Sequence, residues 1–354
     1  MTTRVIKVSD ELTHADHQLL EQAAECLRAS GLVAFPTETV YGLGANGMDA
    51  SACAKIYEAK GRPSDNPLIL HIADMSELGV IAAGLNAHGQ ALASGFWPGP
   101  LTLVTRRTTR VLDIVSGGLD TVAVRMPQSP IARELIKKAG VPIAAPSANV
   151  SGRPSSTKAE HVATDLGGKI DMIVDGGMSV LGLESTIVDV SGDVPCLLRP
   201  GSITVADLEE VVGNIDIDPA VNALGLSGSR PKAPGMAYVH YAPKAELVIV
   251  TGDALLARQK ITAMIQTKHG GSAGSNLAVI TTDENIDQYT GVPARLYSLG
   301  KRTDLTQVAT NLYDILRELD KHNITHAFAE AFDETGIGLS IMNRFKKAAG
   351  YRIT

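Results

Sequence analysis

The sequence predicts an α/β protein of two domains, and three observations carry that prediction. The chain has 354 residues, more than one hydrophobic core ordinarily serves. Short apolar runs bounded by glycine and proline alternate with amphipathic stretches, the pattern of strand and helix in turn. The alternation breaks over 214–244, where six prolines and glycines fall between Pro219 and Gly235, with Ser227, Ser229 and Pro243 around them. Such a stretch reads as a linker. We therefore expect a first domain at 1–213, a linker at 214–244 and a small doubly wound, Rossmann-like domain at 245–354.

In the first domain, residues 15–30 place Leu19, Leu20, Ala23, Ala24 and Leu27 on one helical face, and Gly31 is the expected stop. Leu32 to Phe35 is a short apolar run, read as a buried strand that Pro36 ends. Thr37, Glu38 and Thr39 come next, and Tyr41, Gly42 and Gly44 read as a turn whose glycines let another group approach the backbone. A polar cluster after a buried strand is where α/β proteins place ligands. It is also what an ordinary polar turn looks like, and this stretch alone does not separate the two.

Asp49 caps a helix over 50–60 that stops at Gly61. The loop Lys60 to Pro67 holds two cations among Gly and Pro, and Leu68 to Ile72 is a strand interrupted by His71. Asp74 and Glu77 form a capping box for a helix over about 75–83, and a further helix reaches about Gly95. Strands are expected at 101–105, at 121–125 ending on Arg125, and at 141–145. The last runs into Pro146–Ser155, a second hydroxyl-rich loop, after which Thr157 and Glu160 cap a helix. Further strands are expected at 172–174, at 187–190 and up to Arg199, then a short helix from Thr204 to Gly213. In the second domain, strands at 247–250, 277–280 and 327–329 alternate with helices at 254–267, 304–322 and about 337–349.

Composition excludes several classes. The chain is 44% hydrophobic with 34 Gly and 17 Pro, a globular composition. No apolar run reaches the about 18 residues of a membrane span. The polar start MTTRVIKVSDELTHADH lacks the apolar segment of a signal peptide. Cys26, Cys53 and Cys196 are far apart, which argues against a disulfide framework and for a reducing cytoplasm. Net charge is −6; residues 1–212 carry 17 basic and 24 acidic residues, net −7. Bulk charge therefore makes no nucleic-acid platform, and any anion site must be a local cluster of cations. A Walker-type GxxxxGK[ST], an HExxH and a GxSxG are all absent. Gly270 to Gly274 comes after a helix and reads as a flexible loop.

The polar residues of interest all lie at strand ends or in glycine-bearing loops. Lys60, Arg62, Arg125 and Arg199 could converge on a multiply charged anion, because arginine forks match phosphate and carboxylate oxygens. Each taken singly is also an ordinary surface or ion-paired residue. His71 in a strand is, on its pattern alone, more often a satisfied core histidine.

Six motifs in order carry a resemblance. Pro36–Gly44 (PTETVYGLG), Lys60–His71 (KGRPSDNPLILH), Ala123–Pro127 (AVRMP), Ala145–Asn149 (APSAN), Glu184–Asp189 (ESTIVD) and Leu198–Gly201 (LRPG) resemble the YrdC-like family. Ala233–Pro243 (APGMAYVHYAP) and Gly336–Ala349 (GIGLSIMNRFKKAA) resemble the linker and accessory domain of its two-domain, threonylcarbamoyl-AMP synthase form. The resemblance implies an open twisted α/β sheet with a concave ligand cavity. It implies an enzyme that joins L-threonine, bicarbonate or CO2, and ATP into threonylcarbamoyl-AMP and pyrophosphate. A separate transferase complex would pass the group to the tRNA adenosine beside the anticodon.

By motif position, Thr39, His71, Arg125, Ala145 and Ser185 would line the threonine site. Arg62, Asn66, Thr121, Ser147, Asn149, Ser155 and Arg199 would contact ATP, with His240 and Tyr241 of the linker folding over the nucleotide as a lid. Lys60 and Arg62 would serve catalysis, with Mg2+ held mainly by the phosphates. Positioning and charge stabilisation suffice for this chemistry, which needs no protein nucleophile. Arg125 at a strand end is the best partner for the amino acid's carboxylate. Direct tRNA binding is expected to be weak or absent, and the location cytoplasmic. Two rivals remain: a binding module holding RNA or a nucleotide without chemistry, and a carbamoyltransferase-type relative.

Overall fold

The structure is a computed structural model that describes residues 2–221, 231–234, 236, 240–269 and 276–354. Much of the expected linker, and the loop at Gly270 to Gly274, lie outside the described residues. The chain divides into two compact units. The first comprises Met1–Ser151, Ser155–Val180 and Glu184–Tyr238; the second comprises Gly152–Pro154, Leu181–Leu183 and Val239–Thr354.

The first unit is built on one mixed sheet. Its described strands are β1 (Arg4–Lys7), β2 (Val33–Phe35), β3 (Gly42–Asn46), β4 (Ile69–His71), β5 (Leu101–Arg106), β6 (Thr121–Arg125), β7 (Ile143–Ala144), β8 (Met172–Asp175), β9 (Thr186–Asp189), β10 (Cys196–Arg199) and β11 (Asp216–Ile217). They lie in the order β1-β8-β2-β3-β7-β4-β6-β5-β9-β10-β11. The middle of this sheet fixes the candidate site. β4 and β6 are parallel, with His71 opposite Arg125 and Ile69 opposite Ala123. β5 runs antiparallel to β6 and sets Thr102 opposite Arg125 and Arg106 opposite Thr121.

Strand alternation gives these strands two faces. Leu68, Leu70, Leu101, Leu103, Val122 and Val124 point into the large core, together with the helix Ala50–Lys60. Ile69, Val104, Ala123, Ile187 and Leu198 form a small apolar cluster on the other face, covered by Ala233 and Met236. His71, Thr102 and Arg125 share the parity of that second face, which therefore carries both apolar and polar side chains.

Several expected elements take a different form. Gly42 and Gly44 belong to β3, antiparallel to β2, and not to a turn. A Cβ on Gly44 would sit 2.8 Å from Phe35 Cε1 and 2.9 Å from Ile143 Cγ2, so packing under neighbouring side chains excludes one. Room for substrate is not what those glycines provide. The left-handed residue after the helix His14–Arg28 is Ser30, with φ 62°, and Gly31 comes after it with no space for a Cβ beside Cys26. Asp74 accepts from Ser76 N–H as a cap, but Glu77 reaches Ala73 N–H, so the reciprocal capping box does not form. In place of one longer helix there is one turn of 3-10 helix (Met75–Glu77) and a four-residue helix (Leu78–Ile81). Lys158, not Thr157, is the N-cap residue of the helix Ala159–Leu166.

The second unit holds a four-stranded sheet: β12 (Glu246–Val250), β13 (Leu277–Thr281), β14 (Arg295–Ser298) and β15 (His326–Glu330). The order is β12-β15-β13-β14, and every pairing is parallel. The helices Ala254–His269, Leu305–Lys321 and Ile337–Ala348 alternate with the strands, as parallel connections require. The inner strand β15 ends on Glu330, buried, which accepts from Asn285 Nδ2 and Tyr289 Oη, both at 2.8 Å.

Candidate active site

The C-terminal ends of β4 and β6 gather a buried side-chain network. Arg125 is 4% exposed, and its guanidinium reaches three partners. Nη2 meets Glu38 Oε1 at 2.6 Å, Nη1 donates to Thr39 Oγ1 at 2.9 Å, and Nε donates to Gly99 O at 3.3 Å. Thr37 Oγ1 shares a hydrogen bond with Thr39 Oγ1 at 2.9 Å and donates to Val40 O at 2.6 Å. The segment after β2 is thus held from both sides: Tyr41 Oη donates to Gly177 O at 2.6 Å and accepts from Gly176 N–H at 3.2 Å.

His71 lies beside Arg125 across the ladder, with Phe35 set edge to face at 6.3 Å. Burial, reinforced by the nearby Arg125 charge, pulls its pKa down to about 3. The ring is therefore neutral at pH 7. Its Nδ1 finds no hydrogen-bond partner among the described residues. Ala145, just beyond β7, is buried and donates its N–H to Ile69 O at 2.9 Å. Ser185 Oγ is 2.7 Å from Thr102 Oγ1 and accepts from Arg199 Nη2 at 3.2 Å. Thr102 and Ser185 thereby join the Arg125 register position.

The opposite ends of β4 and β6 carry the remaining cations. Lys60 closes the helix Ala50–Lys60 and is 2% exposed; its ammonium donates to Ser147 O at 2.6 Å and to Asn149 O. Arg62 Nη2 donates to Pro67 O at 3.1 Å and to Asn66 O at 3.4 Å. Asn66 is 1% exposed, and its Oδ1 finds no partner among the described residues. Thr121 begins β6 four steps from Arg125, about 13 Å along the strand. Ser155 Oγ donates to Glu184 Oε1 at 2.5 Å.

The expected residues thus fall into two groups. Thr39, His71, Arg125 and Ser185 come together at one end, and Arg199, the last residue of β10, joins them through Ser185. Lys60, Arg62, Asn66, Ser147 and Asn149 come together at the other. His240 and Tyr241 belong to the second unit, where Tyr241 packs 5.5 Å from His240 and 5.3 Å from Tyr313, ring to ring. Sequence reading missed Thr102, Glu184 and the partner of Glu38. A hydroxyl inside the apolar run Leu101 to Thr105 is the one local signal for Thr102. Among the described residues, no group of three or more His, Cys, Asp or Glu is placed to hold a metal ion, and no helix is long and apolar enough to cross a membrane.

The site thus sets a buried arginine fork, a neutral histidine and clustered hydroxyls at one end of two parallel strands of an α/β sheet, with a lysine and an arginine at the other end. Comparison with known proteins gives the family. The model for Sua5, YciO and YrdC proteins, described as telomere recombination, matches residues 25–201. The model described as threonylcarbamoyl-AMP synthase, C-terminal domain, matches residues 203–350. The chain belongs to the threonylcarbamoyl-AMP synthase family, in its two-domain form. It is 48% identical to the threonylcarbamoyl-AMP synthase of Bacillus subtilis (strain 168), over 98% of this chain and 97% of that one. It is 47% identical to that of Pyrococcus abyssi (strain GE5 / Orsay), over 94% of each. The crystal structure of P. abyssi Sua5 complexed with L-threonine superposes with a TM-score of 0.91 at 44% identity, covering 99% of both chains.

Proposed function

We propose that this chain converts L-threonine, bicarbonate or CO2, and ATP into threonylcarbamoyl-AMP and pyrophosphate. The observation that carries the proposal is the buried Arg125 fork with Thr39, His71 and Ser185 in a chain of this family. Threonine's amine attacks the carbon of CO2 and loses a proton, giving a carbamate. A carbamate oxygen then attacks the α-phosphorus, the bond to the bridging oxygen breaks, and pyrophosphate leaves.

In this reading Arg125 takes the amino acid's carboxylate. His71 is neutral, so it serves as a hydrogen-bonding group for the threonine amine or hydroxyl and carries no charge against the ammonium. Ala145 leaves room for the methyl, whose recognition alone discriminates threonine from serine by only about 1–3 kcal/mol. Lys60, Arg62, Asn66, Thr121, Ser147 and Asn149 are assigned to the nucleotide and its triphosphate; Ser155 and Arg199, which lie apart from that group, are assigned to it on the resemblance of their motifs. His240 and Tyr241 are assigned to the nucleotide on the resemblance of their segment. Mg2+ enters with the triphosphate and offsets its charge. We divide the chain into a catalytic domain at 1–213, a linker and lid at 214–244 and an accessory domain at 245–354.

The product is a reactive mixed anhydride, so a transferase complex in the same cytoplasm must carry its threonylcarbamoyl group to tRNA. The net charge of −7 over 1–212 supports weak direct tRNA binding. Pyrophosphate release tests the proposal: it is expected only when threonine, bicarbonate and ATP are all present. Release that ignores threonine or bicarbonate would refute it.

A further inference from the structure

We infer that Glu38 is a positioning residue for threonine: its reach, more than its charge, aims the Arg125 fork at the substrate carboxylate. This rests on the assignment of Arg125 to that carboxylate. A guanidinium has five N–H donors. Glu38, Thr39 and Gly99 take three of them, one each on Nη2, Nη1 and Nε. One N–H on each terminal nitrogen is left, the number that a carboxylate needs for a bidentate pair.

The Glu38 bond is the shortest of the three at 2.6 Å, and it is largely shielded from solvent, with the Arg125 and Glu38 side chains 5% and 9% exposed. Glu38 is itself held, because its Oε2 accepts from Ser129 N–H at 3.4 Å, at the start of the helix Pro130–Ala139. Without this contact only the Thr39 and Gly99 bonds hold the guanidinium, and the soft torsions of the Arg125 stem would let the plane of the fork tilt away from the substrate. Glu38 precedes Thr39 in sequence, so a single turn supplies two anchors to one guanidinium.

Two substitutions separate reach from charge. Glu38→Asp keeps the charge but is about 1.5 Å shorter, which takes the carboxylate beyond hydrogen-bonding distance of Nη2. Glu38→Gln keeps an oxygen at the right distance and loses the charge, at the expense of the long Ser129 contact. For the full chain, calorimetry without ATP is expected to show threonine Kd about tenfold or more weaker in Glu38→Asp, and within about threefold of wild type in Glu38→Gln. ATP KM is expected to stay within about threefold in both. Equal or greater loss in Glu38→Gln, wild-type affinity in Glu38→Asp, or parallel loss of threonine and ATP would overturn the inference.

A measurement on the unaltered protein does not depend on how the variants fold. Nitrogen-15 arginine side-chain spectra are expected to show separate, slowly exchanging Nη protons for Arg125, identified by their disappearance in Arg125→Lys. Averaged Nη signals, meaning free rotation, would overturn the inference. Arg125→Lys also isolates the underlying assignment. If that variant binds threonine as wild type does, the assignment itself fails. If it loses threonine while Glu38→Asp does not, only the role of Glu38 fails.

Discussion

The two ends of β4 and β6 hold their charges in different ways. At the C-terminal ends, two of the three Arg125 partners are side chains that are themselves fixed, Glu38 by Ser129 and Thr39 by Thr37, and the third is Gly99 O. At the N-terminal ends, Lys60 and Arg62 are bonded to main-chain carbonyls of neighbouring loops, at Ser147, Asn149, Asn66 and Pro67. The first arrangement fixes the direction of a fork, as a planar carboxylate requires. The second surrounds point charges with carbonyl dipoles that phosphate oxygens can replace. The contrast fits the proposed division of the substrates: a small amino acid that must be read closely, and a triphosphate that must mainly be neutralised.

The contrast can be broken most directly at Arg125. Arg125→Ala leaves the Glu38 carboxylate buried without its cation, and we expect about 3–5 kcal/mol of lost stability by chemical denaturation. A loss below about 1 kcal/mol would mean that the C-terminal network is loose. Lys60→Met comes next. It keeps the aliphatic stem and removes the donor from two carbonyls, and about 2–4 kcal/mol is expected at about 1–3 kcal/mol for each group left without a partner. An unchanged denaturation midpoint would show that water takes over both bonds.

His71 gives a pH-dependent test at the first end. Its folded pKa of about 3 lies below the ordinary 6.5, so between those values the unfolded chain binds a proton that the folded chain does not. Stability is therefore full above about pH 6.5 and falls as pH drops toward 3. The single group removes up to about 2 kcal/mol between pH 6.5 and 5. His71→Leu should flatten that part of the stability curve, and an unaltered slope would assign it to other groups. Arg62→Ala should have the smallest effect on stability, within about 1 kcal/mol, because its loop is partly exposed. Pyrophosphate release should nonetheless fall at least about tenfold; near-wild-type turnover would remove Arg62 from the site.

The sequence made the site legible as a set of motifs but not as a geometry. Lys60–His71, Ala145–Asn149 and Glu184–Asp189 could be identified because each is a compact local pattern. The Glu38–Arg125 pair spans 87 residues, and the Thr102–Ser185 contact spans 83, so no local pattern announces either one. Strands were legible according to composition. Leu277–Thr281 and Thr121–Arg125 are apolar and β-branched, and both can be read along the chain. Arg4–Lys7 buries one side chain of four, and Arg295–Ser298 buries none fully, so neither has a strong apolar signal. Gly42–Asn46 reads as a turn because its glycines are selected by the Phe35 ring lying over them, a tertiary cause invisible along the chain.

The position of His71 and Arg125 on one ladder has a consequence for motion. Their strands lie in the interior of the sheet, with paired neighbours on both sides: β7 and β6 flank β4, and β4 and β5 flank β6. Breaking either ladder exposes the main core, so the wall assigned to threonine can open only by an event close to unfolding of the whole first unit. In amide-exchange measurements the backbone protons of 69–71 and 121–125 should accordingly be among the slowest to exchange in the protein, and the surface proposed to read the amino acid is as rigid as the fold itself.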